Sequence, residues 1–171
     1  MSAPGLPFFV YGTLRPGEVN HDLFLRGRTL REEPARLAGA VLYQGPGYPY
    51  AVEDRGGWVT GSLVTPLPQA YGELLAELDR LEEYAPGDPR NLYERVTREV
   101  RIDVETGLGL GLGTGTGAGT EMGTGVTVEA REGGSASLPV RAWVYVAAPA
   151  VAARLRARGK LIESGDWLAR R

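Results

Sequence analysis

The apolar and polar positions along the chain mark out strand-like runs toward both ends and one strongly periodic helix between them. Phe8, Phe9, Val10 and Tyr11 follow one another without a polar break, which predicts a short strand buried on both faces. Gly12 and Thr13 stop it. A strand ending this way leaves backbone N–H groups at its tip, where an anion or a carbonyl oxygen can accept from them. Alone, the pattern favours an ordinary core strand followed by a turn.

Pro16-Gly17 is a turn signal, and Asn20 suits the N-cap of a short helix, His21–Arg26, with Leu23 and Phe24 directed inward. A strand is expected over Arg36–Tyr43, then a tight loop over Gly45–Pro49. Tyr50–Glu53 and Trp58–Val64 read as a hairpin whose turn is Asp54–Gly57, because the sequence Asp-Arg-Gly-Gly supplies residues that tolerate positive φ. Tyr48, Tyr50 and Trp58 are candidate pocket aromatics, although packing is the plainer role for each.

Pro68 suits the first turn of a helix that continues to Glu82 or Glu83. Leu74, Leu75, Leu78 and Leu81 form its apolar stripe. At about 100° per residue, Glu82 falls on that stripe, Glu83 projects toward solvent and Asp79 lies at the margin. A carboxylate turned toward the core, at the negative end of a helix, is disfavoured in its ionised form, and its pKa should rise. That prepares a general acid/base for work near neutral pH. Two alternatives stand beside this: the helix ends sooner and both glutamates are solvated, or Glu82 pairs with an arginine such as Arg95.

Tyr84–Asn91 reads as a loop and Tyr93–Val104 as a strand, with Val96, Val100, Ile102 and Val104 on one face and Tyr93, Arg95, Thr97 and Arg101 on the other. Leu138–Val146 is the last strand, expected to pair with it antiparallel. Between them, Gly107–Gly125 alternates glycine with Leu or Thr. Its glycines all fall on odd numbers, which excludes a GxGxxG fingerprint, and it contains no Lys for a phosphate-binding loop. It is expected to be a flexible insertion, continued by Glu129–Ser137, at the tip of that hairpin. Pro149–Arg158 suits a mostly exposed helix, and Glu163–Leu168 a turn followed by an aromatic residue docking on the body.

Composition narrows the chemistry. A chain of 171 residues with 43% hydrophobic residues suits one globular domain. A net charge of -2 gives no electrostatic case for nucleic acid or an anionic membrane. No Cys is present, so thiolate catalysis, disulfides and Cys-based zinc sites are excluded. The single His21 rules out His-pair metal motifs, and its place in a first helical turn suggests a surface or capping role. The N-terminal residues lack a signal-peptide pattern and no run approaches the roughly 20 apolar residues of a membrane span, so a cytoplasmic location is expected.

The segments Val10-Tyr11-Gly12-Thr13-Leu14-Arg15, Asn20-His21, Leu78-Asp79-Arg80-Leu81-Glu82, Tyr93 with Arg95, and Ser164-Gly165-Asp166-Trp167 span nearly the whole chain. In this order they resemble the γ-glutamylcyclotransferase-like (AIG2-like) family. The resemblance implies an α+β fold, a single domain built as a small mixed β-barrel with flanking helices. It implies that Tyr11, Gly12, Thr13 and Leu14 bind substrate and that Glu82 is the catalytic acid/base. It further implies cyclisation of a γ-glutamyl-amine to 5-oxoproline with release of the amine, with no metal, no cofactor and no partner beyond that small-molecule substrate. Two features depart from the family pattern: Glu83 stands where glycine is usual, and the glycine-rich insertion is not a family feature. They keep open a non-catalytic small-molecule-binding module on the same fold and, further off, a protein-interaction scaffold using the glycine-rich arm. The leaving amine and the oligomeric state are not legible in the sequence.

Overall fold

The computed structural model describes residues 5–105, 129–131 and 135–169. The expected insertion at Gly107–Gly125 lies outside them. The described chain is a strand-rich α+β domain. Strand β1 (Phe8–Val10) leads through a π-helix (His21–Leu25) into the long β2 (Thr29–Gln44) and β3 (Pro49–Pro66). A 3-10 turn (Pro68–Ala70) opens α1 (Tyr71–Leu81), followed by β4 (Tyr93–Glu105), β5 (Glu129–Arg131), β6 (Ser135–Ala147), α2 (Pro149–Arg158), β7 (Leu161–Ile162) and a last 3-10 turn (Trp167–Ala169).

Neighbouring strands run β1-β3-β2-β4-β6-β5, and β1 also meets β6. That second pairing is parallel, with Phe8 opposite Trp143. The pairings therefore make a circuit through β1, β3, β2, β4 and β6, and this circuit is what the molecule shows of the expected barrel. The three-residue β1 sits where the circuit meets itself, and the pleat explains its sequence. Alternation sends Phe8 and Val10 into the core under the helices, with Leu74, Leu78 and Val151. Phe9, with Tyr11 just beyond the strand, enters a second core with Leu63, Val100, Val144 and Trp167. A strand buried on both faces needs an unbroken apolar run.

Several local expectations are corrected. The Asp54–Gly57 segment is not a hairpin turn: β3 runs through it, and the register steps from Ala38 opposite Trp58 to Ala40 opposite Glu53. Four residues thus bulge opposite Gly39, with Gly39 and Gly56 at positive φ. The positive-φ residues were legible, but a bulge uses them as well as a turn does. The hairpin turn is Gly45–Tyr48, closed by the Gly45 N–H donating to the Tyr48 carbonyl at 2.8 Å. The helix after Asn20 is of π type, so its wider turn buries Leu25 and leaves Leu23 exposed, with Phe24 between them. Asn20 makes no capping bond with its side chain. Glu129–Arg131 is a strand paired to Ser135–Ser137, so the second part of the expected flexible segment is regular at its described ends. The antiparallel pairing of β4 with β6 stands as expected, from Tyr93 opposite Ala147 to Glu105 opposite Ser135. Trp167 is buried, docking the C-terminal segment on the body as the sequence suggested.

Candidate active site

The tip of β1 and the end of α1 open on one cavity of about 210 Å³. Tyr11, Gly12, Thr13 and Leu14 line one side, and Leu81, Glu82 and Glu83 line another. Tyr48, Pro49, Leu92, Tyr93 and Tyr145 complete most of the wall. The two stretches singled out in the sequence are thus brought together, although nearly seventy residues separate them.

The loop is fixed by its neighbours. Gly12 is required for close approach rather than for an unusual φ: a Cβ there would lie 2.7 Å from Cδ of Pro49 and 2.9 Å from its Cγ. The Gly12 carbonyl accepts from the Arg15 N–H at 3.0 Å, closing the turn. Asn20 Nδ2 donates to Thr13 Oγ1 at 2.8 Å, and Arg15 Nη1 reaches Asp166 Oδ1 at 2.7 Å, tying the loop to the C-terminal segment. The N–H groups of Gly12, Thr13 and Leu14 donate to no protein acceptor among the described residues. Gly12 and Leu14 are buried, so these amides need an acceptor from outside the chain.

Tyr11 does not offer its hydroxyl to the cavity. That group donates to the Tyr145 carbonyl and accepts from the Ala51 N–H at 3.2 Å. Tyr93 donates to the Pro49 carbonyl at 2.7 Å, and Tyr145 to Asp79 Oδ1 at 2.6 Å. Burial, with the Glu82 charge contributing, holds the hydroxyls of Tyr11, Tyr93 and Tyr145 well above the usual tyrosine range. They are neutral posts, each with its proton already engaged. Tyr50 stacks on Tyr93 at 4.7 Å between ring centroids. Tyr48 reaches the wall, whereas Trp58 is partly exposed under the Arg36 guanidinium.

Glu82 caps α1, its N–H donating to the Leu78 carbonyl at 3.0 Å. Its side chain finds no hydrogen-bond donor or cation among the described residues. Arg95, the arginine considered as a partner, instead holds Asp79 through Nε at 2.8 Å and Nη2 at 3.2 Å. Burial pushes the Glu82 carboxyl up to about 7; desolvation is the cause, not the adjacent Glu83 charge. Glu83 itself adopts φ 55°, in the left-handed region. Its N–H donates to the Arg80 carbonyl and that of Tyr84 to the Asp79 carbonyl, the paired bonds of a Schellman motif. The departure from glycine therefore leaves the helix exit in the form that glycine would give it.

His21 lies outside the cavity wall. It is largely buried, with Nε2 2.7 Å from Glu32 Oε2, which corrects the expected surface role. Of the wall residues, Pro49, Leu92 and Tyr145 went unnoticed as site residues in the sequence. Tyr145 had a weak signal, being with Trp143 one of two aromatic residues on β6.

A family model described as gamma-glutamyl cyclotransferase, AIG2-like matches residues 8–110, more than half of the chain. The chain belongs to this family. A gamma-L-glutamyl-butirosin B gamma-glutamyl cyclotransferase of Niallia circulans is 39% identical over 97 residues, covering 54% of this chain and 56% of that protein. A protein of Halalkalibacterium halodurans, whose gamma-glutamylcyclotransferase name is itself provisional, is 36% identical over 72 residues, covering 42% of this chain and 62% of its own. The match thus spans little more than half the length of these curated relatives. The fold is shared with a solution structure from Arabidopsis thaliana (TM-score 0.52, 24% identity, 94% of this chain and 72% of that one). It is also shared with YkqA from Bacillus subtilis (TM-score 0.50, 22% identity, 96% of this chain and 40% of that one). No helix among the described residues is long and apolar enough to cross a membrane, and no group of three or more His, Cys, Asp or Glu among them could hold a metal ion.

Proposed function

We propose that this γ-glutamyl cyclotransferase-family chain converts a γ-glutamyl-amine into 5-oxoproline and the free amine, with Glu82 as general acid/base. The observation that carries the reading is the Glu82 carboxylate: half-buried, unpaired by any described group, and lining a cavity whose other side holds backbone amides with no acceptor among the described residues. A glutamyl end group is the complement of that arrangement. Its α-carboxylate accepts from the Gly12–Leu14 amides, and its α-ammonium meets Glu82.

The chemistry follows from this placement. Glu82 takes a proton from the α-ammonium, and the freed amine attacks the substrate's own γ-carbonyl carbon. The new C–N bond closes the five-membered ring. The C–N bond to the leaving amine then breaks as Glu82 returns the proton to that nitrogen; the regenerated carboxylate takes the second proton from the ring nitrogen and passes it to the released amine, which departs as its ammonium, so no water is consumed. Holding the glutamyl group folded supplies the intramolecular advantage. A carboxyl group titrating near 7 is matched to both halves of this proton cycle.

The test is release of 5-oxoproline across a panel of γ-glutamyl-amines, with Glu82→Gln run in parallel. The wild-type chain is expected to turn over at least one member and the variant to lose about 10²–10⁴ in rate. Full activity in the variant on every accepted substrate removes Glu82 from the mechanism.

A further inference from the structure

We infer that the mouth of this cavity selects leaving amines that carry a second positive charge, and that Glu83 sets this preference. The inference rests on the reading of the cavity as a γ-glutamyl-amine site, but its observations are separate. Glu83 lines the cavity and is exposed, beside the more buried Glu82. Its left-handed backbone and the two bonds of the helix exit fix where it stands. Among the described residues of the wall there are two carboxylates and no Lys, Arg or His. Of the nearby arginines, Arg95 is held by Asp79 and Arg15 by Asp166, while Arg154 stands by Tyr50, which is outside the wall.

These charges divide the possible leaving groups. The loop amides at Gly12–Leu14 answer one carboxylate, that of the glutamyl half. A second carboxylate, as in an amino-acid or peptide leaving group, finds no cation in the described wall and meets the Glu83 charge. An alkylamine with a distal ammonium meets that charge as an attraction, and its methylenes lie against Pro49, Leu92 and the tyrosines. Because Glu83 is solvated, the attraction should resemble an exposed ion pair, worth about twofold to fivefold, with comparable repulsion of an anion.

Three γ-glutamyl amides of nearly equal length test this: those of 1,4-diaminobutane, n-butylamine and 4-aminobutyrate. The expected order of kcat/KM is cationic, neutral, anionic, with a cation-to-anion ratio of about tenfold at low ionic strength that narrows as salt is added. Ratios within one protein cancel any general loss from a substitution. Glu83→Gln should lower the cation-to-anion ratio about tenfold, toward unity, and Glu83→Lys should invert it. A ratio unchanged in Glu83→Gln, or an anionic preference in the wild type, overturns the inference. If none of the three yields 5-oxoproline, it is the cyclotransferase reading that fails for them. Calorimetric affinities of the same compounds then judge the inference: a cation-favouring order that depends on Glu83 supports it, and equal affinities or no binding overturn it.

Discussion

Asp79 and Glu82 stand three residues apart on the same helix, and their surroundings are opposite. Asp79 is held by two nitrogens of Arg95 and by the Tyr145 hydroxyl, while Arg95 lies between the Trp143 and Tyr84 rings. Both oxygens of that carboxylate have a donor, and the result is a brace between α1, β4 and β6. Glu82 has none of this among the described residues. It stands half-buried at the cavity wall with no such compensation, at a cost to its ionised form. The difference separates a carboxylate that braces the fold from one left open to a ligand, and the role proposed for Glu82 rests on that contrast.

The sharpest way to break this comparison is to remove one charge at a time. Glu82→Gln should lower kcat for a γ-glutamyl-amine by about 10²–10⁴ while circular dichroism stays that of the wild type. Asp79→Asn should do the reverse. Removing one partner of a buried pair costs about 3–5 kcal/mol; with both side chains still partly accessible, a loss of about 2–3 kcal/mol in urea unfolding is expected. Equal losses of turnover in the two variants at equal stability would erase the distinction.

Titration sharpens it further. The Glu82 carboxyl rises from 4.5 in the unfolded chain to about 7 in the folded one, so the folded state binds a proton more tightly between those values. Stability from this group is present below about pH 4.5 and is lost as pH rises through 7. At about 1.4 kcal/mol per tenfold change in proton affinity, the loss is on the order of 3 kcal/mol. Glu82→Gln lacks that dependence, so its stability relative to wild type should improve by about that amount between pH 4.5 and pH 8, measured by denaturant unfolding at both. Catalysis has the opposite sign: kcat/KM should fall as pH drops through 7, because the base must be ionised to accept a proton.

Much of this site was legible in the sequence because its signals are local. The unbroken apolar run Phe8–Tyr11 announces two-sided burial, and the leucine stripe of α1 carries Glu82 to the buried side by simple periodicity. What stayed hidden depends on contacts distant in sequence. Whether Asp79 or Glu82 takes Arg95 is decided by the strand carrying Arg95 and by the Tyr145 hydroxyl, and periodicity is silent on both. The bulge at Asp54–Gly57 was hidden for another reason: glycines permit turns and bulges alike, and only pairing with β2 decides between them. The π-turn at His21–Leu25 changes which residue faces inward because its period is not that of an α-helix.

The smallest predicted effect concerns Glu83, where local geometry and charge pull in different directions. A non-glycine residue at left-handed φ costs about 1–2 kcal/mol, and glycine there avoids the cost while giving back about 0.5–1 kcal/mol through the entropy of the unfolded chain. Glu83→Gly should therefore stabilise the protein by about 0.5–1 kcal/mol. Glu83→Ala removes the same carboxylate but keeps the strain, so its stability should stay near wild type. The difference between the two variants, read from urea midpoints at pH 8, isolates the backbone from the charge. If glycine gains nothing over alanine, the left-handed conformation at 83 carries no strain. If glycine is the more stable by the expected amount, then a glutamate stands at this position despite its backbone cost, as the charge selection proposed for the mouth of the cavity beside Glu82 requires.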